Sequence, residues 1–176
     1  ADLRFEDLPK DVVEKAKLYI LDLLGVALAG SRTRPGNIAA EFVISSGGKE
    51  EAVVFTHEQR VPSHSAAFAN GIMAHALDFD DTHGILHVGS SVIPAALATA
   101  EKVGADGRDL LNAVVAGYEV ATRIALAVSP WHRKRGYHPT GTCNCFGAAA
   151  ASGKLLGLDE DKMAHSFGIA GDQASG

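Results

Sequence analysis

The stretch PKDVVEKAKLYILDLLGVALA (residues 9–29) decides the fold class. Apolar side chains recur at steps of three and four residues between Val13 and Ala27, as on the broad face of a buried helix. Pro9 suits the first turn of a helix, and Gly30 suits its end. The stretch therefore predicts a long helix that contributes to a helical core.

Six further segments show the apolar periodicity of helices. They cover residues 36–44, 62–77, 92–103, 109–128 and 140–156, and a last segment that starts at Asp159 and reaches the end of the chain. Ser63 is placed to cap the second of these helices, and residues 52–55 predict a short strand or an extended connector. The stretches 78–91 and 129–139 show no period and are expected to be loops. With neither repeats nor a linker, residues 1–176 are predicted to form one all-α domain.

Composition excludes several classes of protein. Of the 176 residues, 47% are apolar and 21% are charged, as in ordinary soluble globular proteins. The net charge of −5 argues against a general nucleic-acid binder, which needs a basic face. Gly, Lys or Glu interrupts each apolar stretch before it reaches the length of a membrane span. We therefore expect a soluble cytoplasmic protein that binds neither nucleic acid nor membranes.

Two features that resemble ligand sites are predicted to be structural. Cys143 and Cys145 have no second ligand pair and are expected to be small core residues. Residues 147–155 resemble a phosphate loop, but five residues separate the glycines instead of four, and Leu155 stands where Ser or Thr belongs. We expect this run of small residues to pack tightly against other helices.

The two ends of the chain suggest a portion of a longer protein. The first residue is Ala, and residues 168–176 are still weakly apolar and helical in pattern, without a polar tail. We therefore expect the domain to be truncated at its C-terminus.

The most informative stretch is HALDFDDTHGILH (residues 75–87), which holds three carboxylates and three imidazoles where a helix gives way to a loop. An isolated Asp or His is usually solvated or hydrogen-bonded to the backbone. Packing like charges together is unfavourable unless something binds among them. The clustering therefore predicts a functional site. An Asp can hold an imidazole in one tautomer while the imidazole moves a proton next to a substrate carboxylate.

The same stretch also permits a metal-dependent hydrolase. His75 and Asp78 lie three residues apart on one helix face, and Asp81 and His83 follow closely. Imidazoles and carboxylates are ligands of divalent metals. No recognised ligand spacing is present, so the stretch does not single out a metal site, and acid–base chemistry is the competing interpretation.

A second candidate stretch is RKRGYHPTGT (residues 133–142), a basic loop that leads directly into a helix start. Backbone N–H groups at a helix N-terminus bind carboxylates well when cations lie nearby. His138 is favoured because the following proline restricts its backbone. The alternative is a solvated loop in which Thr140 caps the helix. The candidate ligands for substrate carboxylates are Arg133, Lys134 and Arg135.

Taken together, five segments resemble those of the MmgE/PrpD family, which includes 2-methylcitrate dehydratase, cis-aconitate decarboxylase and iminodisuccinate epimerase. They occur in the family's order and are LDLLGVALAG (21–30), FANGIMAHALDFDDTH (68–83), HVGSSVIPAALATAE (87–101), YHPTGTCNCFGAAAASGKLLGL (137–158) and GIAGDQASG (168–176). DFDDTH and the segment around HPTGT are the most specific of these matches.

The resemblance implies a two-domain homodimer in which the N-terminal half supplies most of an all-helical domain. The active site would lie between the domains and use neither a metal nor an organic cofactor. By motif matching, Asp78, His87 and His138 correspond to active-site positions. Family members continue past the segment that matches residues 168–176 to a catalytic Lys and a further His, so we expect this chain alone to be an incomplete catalyst.

The resemblance and the candidate residues predict a cofactor-free lyase that dehydrates or decarboxylates small polycarboxylic acids. In this hypothesis His87 or His138 moves a proton next to a substrate carboxylate, and Asp78 orients an imidazole. An isomerase that epimerises an iminodisuccinate-like substrate is the alternative within the family. The non-enzymatic alternative is a helical interaction module.

Overall fold

The computed structural model describes residues 2–174, and helices account for most of that range. A 3-10 turn (Phe5–Asp7) is followed by α1 (Lys10–Gly30), α2 (Arg34–Ser46), α3 (Ser63–His75), α4 (Gly89–Val103), α5 (Gly107–Val128), α6 (Trp131–Lys134), α7 (Pro139–Leu155) and α8 (Glu160–Gln173). Two short antiparallel strands, β1 (Ala52–Val53) and β2 (Arg60–Val61), pair Ala52 with Val61. The all-α class is confirmed. The expected continuation of α8 to the last residues lies partly outside the described range.

Side-chain caps determine where several helices begin. Thr33 accepts a hydrogen bond from the Gly36 N–H (3.2 Å), so α2 starts two residues earlier than its apolar pattern indicates. Asp106 accepts the N–H groups of Arg108 and Asp109, which likewise places the start of α5 at Gly107. Polar caps leave no periodic signal, so the apolar pattern alone underestimates the length of these helices.

The expectation that Ser63 caps α3 is wrong. The N-cap position belongs to Pro62, and Ser63 is the first helical residue. The backbone N–H of Ser63 instead donates to Glu51 Oε2 at 3.1 Å. A carboxylate from the connector between α2 and β1 therefore satisfies one of the free N–H groups at this helix start.

Small residues let the central helices approach closely, as predicted for the run at residues 147–155. Helices α5 and α7 meet where Gly117 faces Gly147, and α4 packs against both. A Cβ atom added at Gly147 would lie 2.7 Å from the Gly117 carbonyl oxygen and 2.9 Å from Val92 Cγ2. Cys143 is buried in α7 and Cys145 is half-buried there, and both are free thiols, which agrees with a structural role.

Helix α5 corrects the expectation that no apolar stretch reaches the length of a membrane span. By length and composition alone it is long and apolar enough to cross a membrane. One face of it packs on α7 and α4, however, and Glu119 and Arg123 form an ion pair on an exposed face. The buried apolar residues of α5, among them Val114, Ala121 and Ala125, thus have partners within the helical core, whereas Leu126 near its end is exposed.

Candidate active site

The candidate active site lies in the loop between α3 and α4, which joins His75 at the end of α3 to His87 just before α4. Asp78 takes a left-handed conformation (φ +55°), and its N–H donates to the His75 carbonyl at 3.0 Å. Asp tolerates this backbone region better than most residues because its short side chain can bond locally. The chain therefore turns sharply after α3 and returns the carboxylates toward the helix end.

Two imidazoles and two carboxylates meet here and form what we name the His–Asp cluster (His75, Asp78, Asp80 and His87). Asp80 Oδ1 lies 2.8 Å from His75 Nδ1 and 3.2 Å from His87 Nδ1. On the opposite side of the rings, Asp78 Oδ1 lies 3.4 Å from His87 Nε2 and 4.0 Å from His75 Nε2. The ring centroids are 5.0 Å apart in an edge-to-face arrangement. Each imidazole is thus flanked by a carboxylate at both nitrogens.

The two carboxylates of the His–Asp cluster differ sharply in exposure. The side chain of Asp80 is fully buried, whereas that of Asp78 is 77% exposed. Asp80 Oδ2 has no hydrogen-bond partner among the described residues. The approach of His87 Nδ1 to Asp80 lacks hydrogen-bond alignment, so the ring of His75 supplies the aligned bond. Asp80 therefore faces the interior side of the cluster and Asp78 its solvent side.

The start of α7 contacts the backbone of His87. The N–H of His87 donates to Thr140 Oγ1 at 3.1 Å, and the side-chain amide of Asn144 donates to the His87 carbonyl. Thr140 is buried and is not the cap of α7, because the N-cap position belongs to His138. These contacts of Thr140 and Asn144 with His87 were not predictable from the sequence, because more than fifty residues separate the partners along the chain.

The remaining predicted site residues lie in α6 and in the turn between α6 and α7. His138 is exposed and makes no side-chain cap bond, and its carbonyl accepts from the Thr142 N–H at 3.1 Å. Lys134 Nζ lies 4.7 Å from the centroid of the Trp131 ring. Within residues 2–174, no hydrogen bond, ion pair or ring contact joins the side chains of these residues to the His–Asp cluster. The exposed cations on α6 and directly after it are Arg133, Lys134 and Arg135.

Asp81 points away from the His–Asp cluster and toward α5. The hydroxyl of Tyr118 donates to Asp81 Oδ1 at 2.9 Å, and the Tyr118 ring stacks on Tyr19 of α1 with centroids 5.4 Å apart. Burial raises the pKa of the Asp81 carboxyl, against the lowering effect of the bond from Tyr118. Burial and the Asp81 charge also raise the pKa of the Tyr118 hydroxyl.

The metal set considered from the sequence, which paired His75 and Asp78 with Asp81 and His83, is not assembled. Asp81 is bonded to Tyr118, and His83 is an exposed residue whose N–H and carbonyl form a tight turn with Leu86. The structure instead brings Asp80 and His87 to His75 and Asp78, with one possible ligand atom of each within 4.8 Å of the others. Two imidazoles and two carboxylates fit acid–base catalysis and also fit the ligand preferences of a divalent cation.

Comparison with known proteins agrees with the resemblance to the MmgE/PrpD family. The MmgE/PrpD N-terminal domain profile matches residues 1–176. Human cis-aconitate decarboxylase is 34% identical over 175 residues, which cover 96% of this chain and 36% of that protein. The cis-aconitate decarboxylase of Aspergillus terreus is 32% identical over 184 residues, covering 100% of this chain and 38% of that protein. The cis-aconitate decarboxylase-like protein oryM of Aspergillus oryzae is 34% identical over 185 residues, with 99% and 38% coverage. The chain spans a little over a third of the length of these relatives, and it belongs to the MmgE/PrpD family.

Proposed function

We propose that this chain is the helical part of a lyase that acts on small polycarboxylic acids. The observation that carries the proposal is the ring of His87, which has Asp80 at Nδ1 and Asp78 at Nε2. An imidazole between two carboxylates can accept a proton at one nitrogen. In the cation that forms, each of the two N–H groups faces an acceptor. The similarity to proteins named cis-aconitate decarboxylase supports a carboxy-lyase as the first activity to test.

The proposed step uses His87 Nε2 as the proton-transfer atom. In a dehydration, Nε2 takes the proton next to a substrate carboxylate, and the electron pair left on carbon expels hydroxide. In a decarboxylation, the C–C bond breaks, CO₂ leaves, and the carbon takes up a proton from the protonated ring. Asp78 accepts the Nε2–H bond in the protonated state, so it stabilises the ring cation that both reactions pass through.

Substrate carboxylates need positive groups close to the site of proton transfer. We propose that the basic residues of α6 and the following turn supply them, because this segment leads into the helix start that contacts His87. His138, at the N-cap of α7, is proposed as a second proton-transfer group. The proposed carboxylate ligands are Arg133, Lys134 and Arg135.

The test uses the full-length protein, incubated in D₂O with cis-aconitate, citrate, 2-methylcitrate or iminodisuccinate and followed by proton NMR. We expect deuterium at the carbon next to a carboxylate in one of these compounds or in its product. Loss of CO₂, loss of water or epimerisation would identify the reaction. The absence of exchange and of product with all four compounds would overturn the proposal.

Asp78→Asn tests the proton-transfer step with little change of backbone, because Asn also tolerates the left-handed conformation that residue 78 adopts. We expect kcat to fall by about 10²-fold, since the ring cation loses its solvent-side carboxylate. Unchanged turnover would remove Asp78 from the mechanism. Circular dichroism of the variant checks that the fold is retained.

A divalent metal centre is the second candidate function, favoured by the 4.8 Å grouping of ligand atoms in the His–Asp cluster. It would make the protein a metal-dependent hydrolase with an activated water. Elemental analysis of the purified full-length protein separates the two candidates. One tightly bound divalent ion per chain, lost in His87→Ala, would favour the metal centre over metal-free acid–base catalysis.

A further inference from the structure

We propose that Asp80 is the positioning residue of the active site, and that it holds the rings of His75 and His87 with Nδ1 inward and Nε2 outward. The catalytic consequence of this assignment rests on the proposed function. The sequence led us to expect that Asp78 orients an imidazole, and the proposal transfers that role to Asp80. Asp78 lies on the opposite side of the rings and approaches them at Nε2.

The first argument is the shared oxygen. Asp80 Oδ1 lies 2.8 Å from His75 Nδ1 and 3.2 Å from His87 Nδ1, closer than Asp78 comes to either ring. A carboxylate accepts hydrogen bonds and does not donate them, so the aligned bond favours the proton on Nδ1 of His75. His87 Nδ1 is not aligned for a hydrogen bond, but Asp80 approaches this ring more closely than Asp78 does, which favours the same tautomer. That tautomer leaves an electron pair on each Nε2, which is the atom that faces Asp78 and the solvent side.

The second argument is burial. Asp80 has a fully buried side chain, and its only ion-pair partners among the described residues are these two rings. A buried carboxylate is unfavourable unless it is paired, so Asp80 depends on the imidazoles for its stability as they depend on it for orientation. Asp78 is 77% exposed and free of such packing, which makes it a weak restraint on a ring.

The third argument is the neighbour of Asp80 along the chain. Asp81 points the other way and accepts a hydrogen bond from Tyr118 on α5. The adjoining Gly89 lies so close that a Cβ there would fall 2.0 Å from Asp81 Oδ1. The backbone at Asp80 is therefore held from α5, and the His87 backbone is held from α7 by Thr140. Carboxylate and ring are fixed from two separate helices.

The two rings have different expected roles. His87 is 20% exposed and lies 3.4 Å from Asp78, whereas His75 is 36% exposed and lies 4.0 Å from it. His75 makes the better-aligned bond to Asp80. We therefore assign proton transfer to His87, and to His75 the task of holding Asp80 in place.

The main test compares Asp80→Asn with Asp81→Asn in the full-length protein. Asp80→Asn removes a buried carboxylate, and Asp81→Asn removes a half-buried one at the adjacent position. Only Asp80 faces the rings. For Asp80→Asn we expect kcat to fall by about 10²-fold or more with KM changed less than about 3-fold, as when the carboxylate behind a catalytic histidine is lost. Asp81→Asn should keep kcat within about 3-fold of the wild type. Similar kcat values in the two variants would overturn the assignment.

Long-range ¹H–¹⁵N NMR of histidine-labelled full-length protein gives a readout that needs no substrate. We expect two rings protonated at Nδ1 in the wild type and in Asp81→Asn, and a shift of both toward Nε2–H in Asp80→Asn. Unchanged ring spectra would overturn the positioning role. If the wild type turns over none of the polycarboxylates, the proposed function fails, while these spectra still decide the role of Asp80.

A second pair of variants covers the case in which Asp80→Asn does not fold. His75→Ala removes the aligned donor to Asp80, and His75→Asn restores an N–H close to the position of Nδ1. We expect kcat to fall by about 10-fold in His75→Ala and to recover most of that loss in His75→Asn. Equal losses in both variants would assign His75 to the chemistry itself and overturn its holding role.

Discussion

At the scale of single residues, the half-buried carboxylate of Asp81 shows how desolvation competes with hydrogen bonding. Burial raises the pKa of this carboxyl above its ordinary 3.8 despite the bond from Tyr118. A raised pKa means that ionisation disfavours the folded state, so the unfavourable contribution appears as the pH rises above the ordinary value. It is absent at lower pH, where the carboxyl is protonated in both states.

We therefore predict that Asp81→Asn raises the melting temperature at pH 7, because the amide oxygen still accepts from Tyr118 and no charge is buried. The gain over the wild type should shrink as the pH falls toward about 4. Thermal unfolding followed by circular dichroism between pH 4 and about 7 measures both effects. Tyr118→Phe is the control of opposite sign, since it removes the donor and leaves the charge. A lower melting temperature for Asp81→Asn at pH 7 would contradict the prediction.

The sequence could predict a site at residues 75–87, but it could not predict which of its carboxylates contacts which group. Three Asp residues lie within four positions, and nothing in their order says which one is buried. The left-handed turn at Asp78 decides the matter, because it directs Asp80 inward to the rings and Asp81 to Tyr118. Backbone reversals of this kind leave no periodic signal in the sequence.

At the scale of elements, α1 packs against α3, and Gly30 at the end of α1 lies directly against the backbone of Met73. A Cβ at Gly30 would lie 1.8 Å from the Met73 carbonyl oxygen, whereas a Cβ at Gly25 of the same helix would meet nothing within 4 Å. We predict that Gly30→Ala lowers the free energy of unfolding by about 1–3 kcal/mol or more, the usual cost of adding an atom to a region that is already closely packed. A backbone atom cannot move aside as the end of a side chain can, so α1 and α3 must separate.

Gly25→Ala is the matched control for this prediction. It should raise the free energy of unfolding by about 0.5–1 kcal/mol, because Ala favours an exposed helical position over Gly. Urea unfolding of both variants in the 176-residue chain measures the difference. Equal effects of the two substitutions would show that helix propensity, rather than the contact with Met73, controls stability at Gly30.

The helices themselves were largely predictable, because apolar periodicity over four or more turns is a strong signal. The failures share a physical reason. Helix α6 has only four residues, too few to show a period, and it lies where a loop was expected. Helix α4 begins at Gly89, three residues before its predicted start, because its first turn is made of small and polar residues. The periodic signal reports the buried face of a helix and says little about its ends.

At the scale of the whole molecule, the candidate site is assembled from elements far apart in the chain. His75 ends α3, His87 precedes α4, and Thr140 reaches it from the start of α7. Sequence reasoning placed His138 and the basic loop in the same site by motif and charge. The described residues bring the backbone of that helix start to His87 but not those side chains, and their role stays a prediction.

Glu51 links several parts of the fold and contributes to the response of the whole molecule to acid. Its carboxylate accepts the Ser63 N–H at the start of α3 and pairs with Lys49 and Lys102. The Ser63 N–H bond is the main reason that the pKa of this carboxyl falls from 4.5 to about 2. A lowered pKa means that the carboxylate stabilises the folded state above pH 4.5 and that this stabilisation disappears as the pH falls toward 2.

We therefore predict that Glu51→Gln lowers the melting temperature at pH 7 and that its curve approaches the wild-type curve near pH 2. Glu50→Gln removes the same charge from the exposed neighbouring position and is the matched control. Thermal unfolding at a series of pH values compares the three proteins. If both variants lose the same stability at every pH, net charge explains the effect. A loss confined to Glu51→Gln, and largest above pH 4.5, requires the carboxylate that joins α3 to α4.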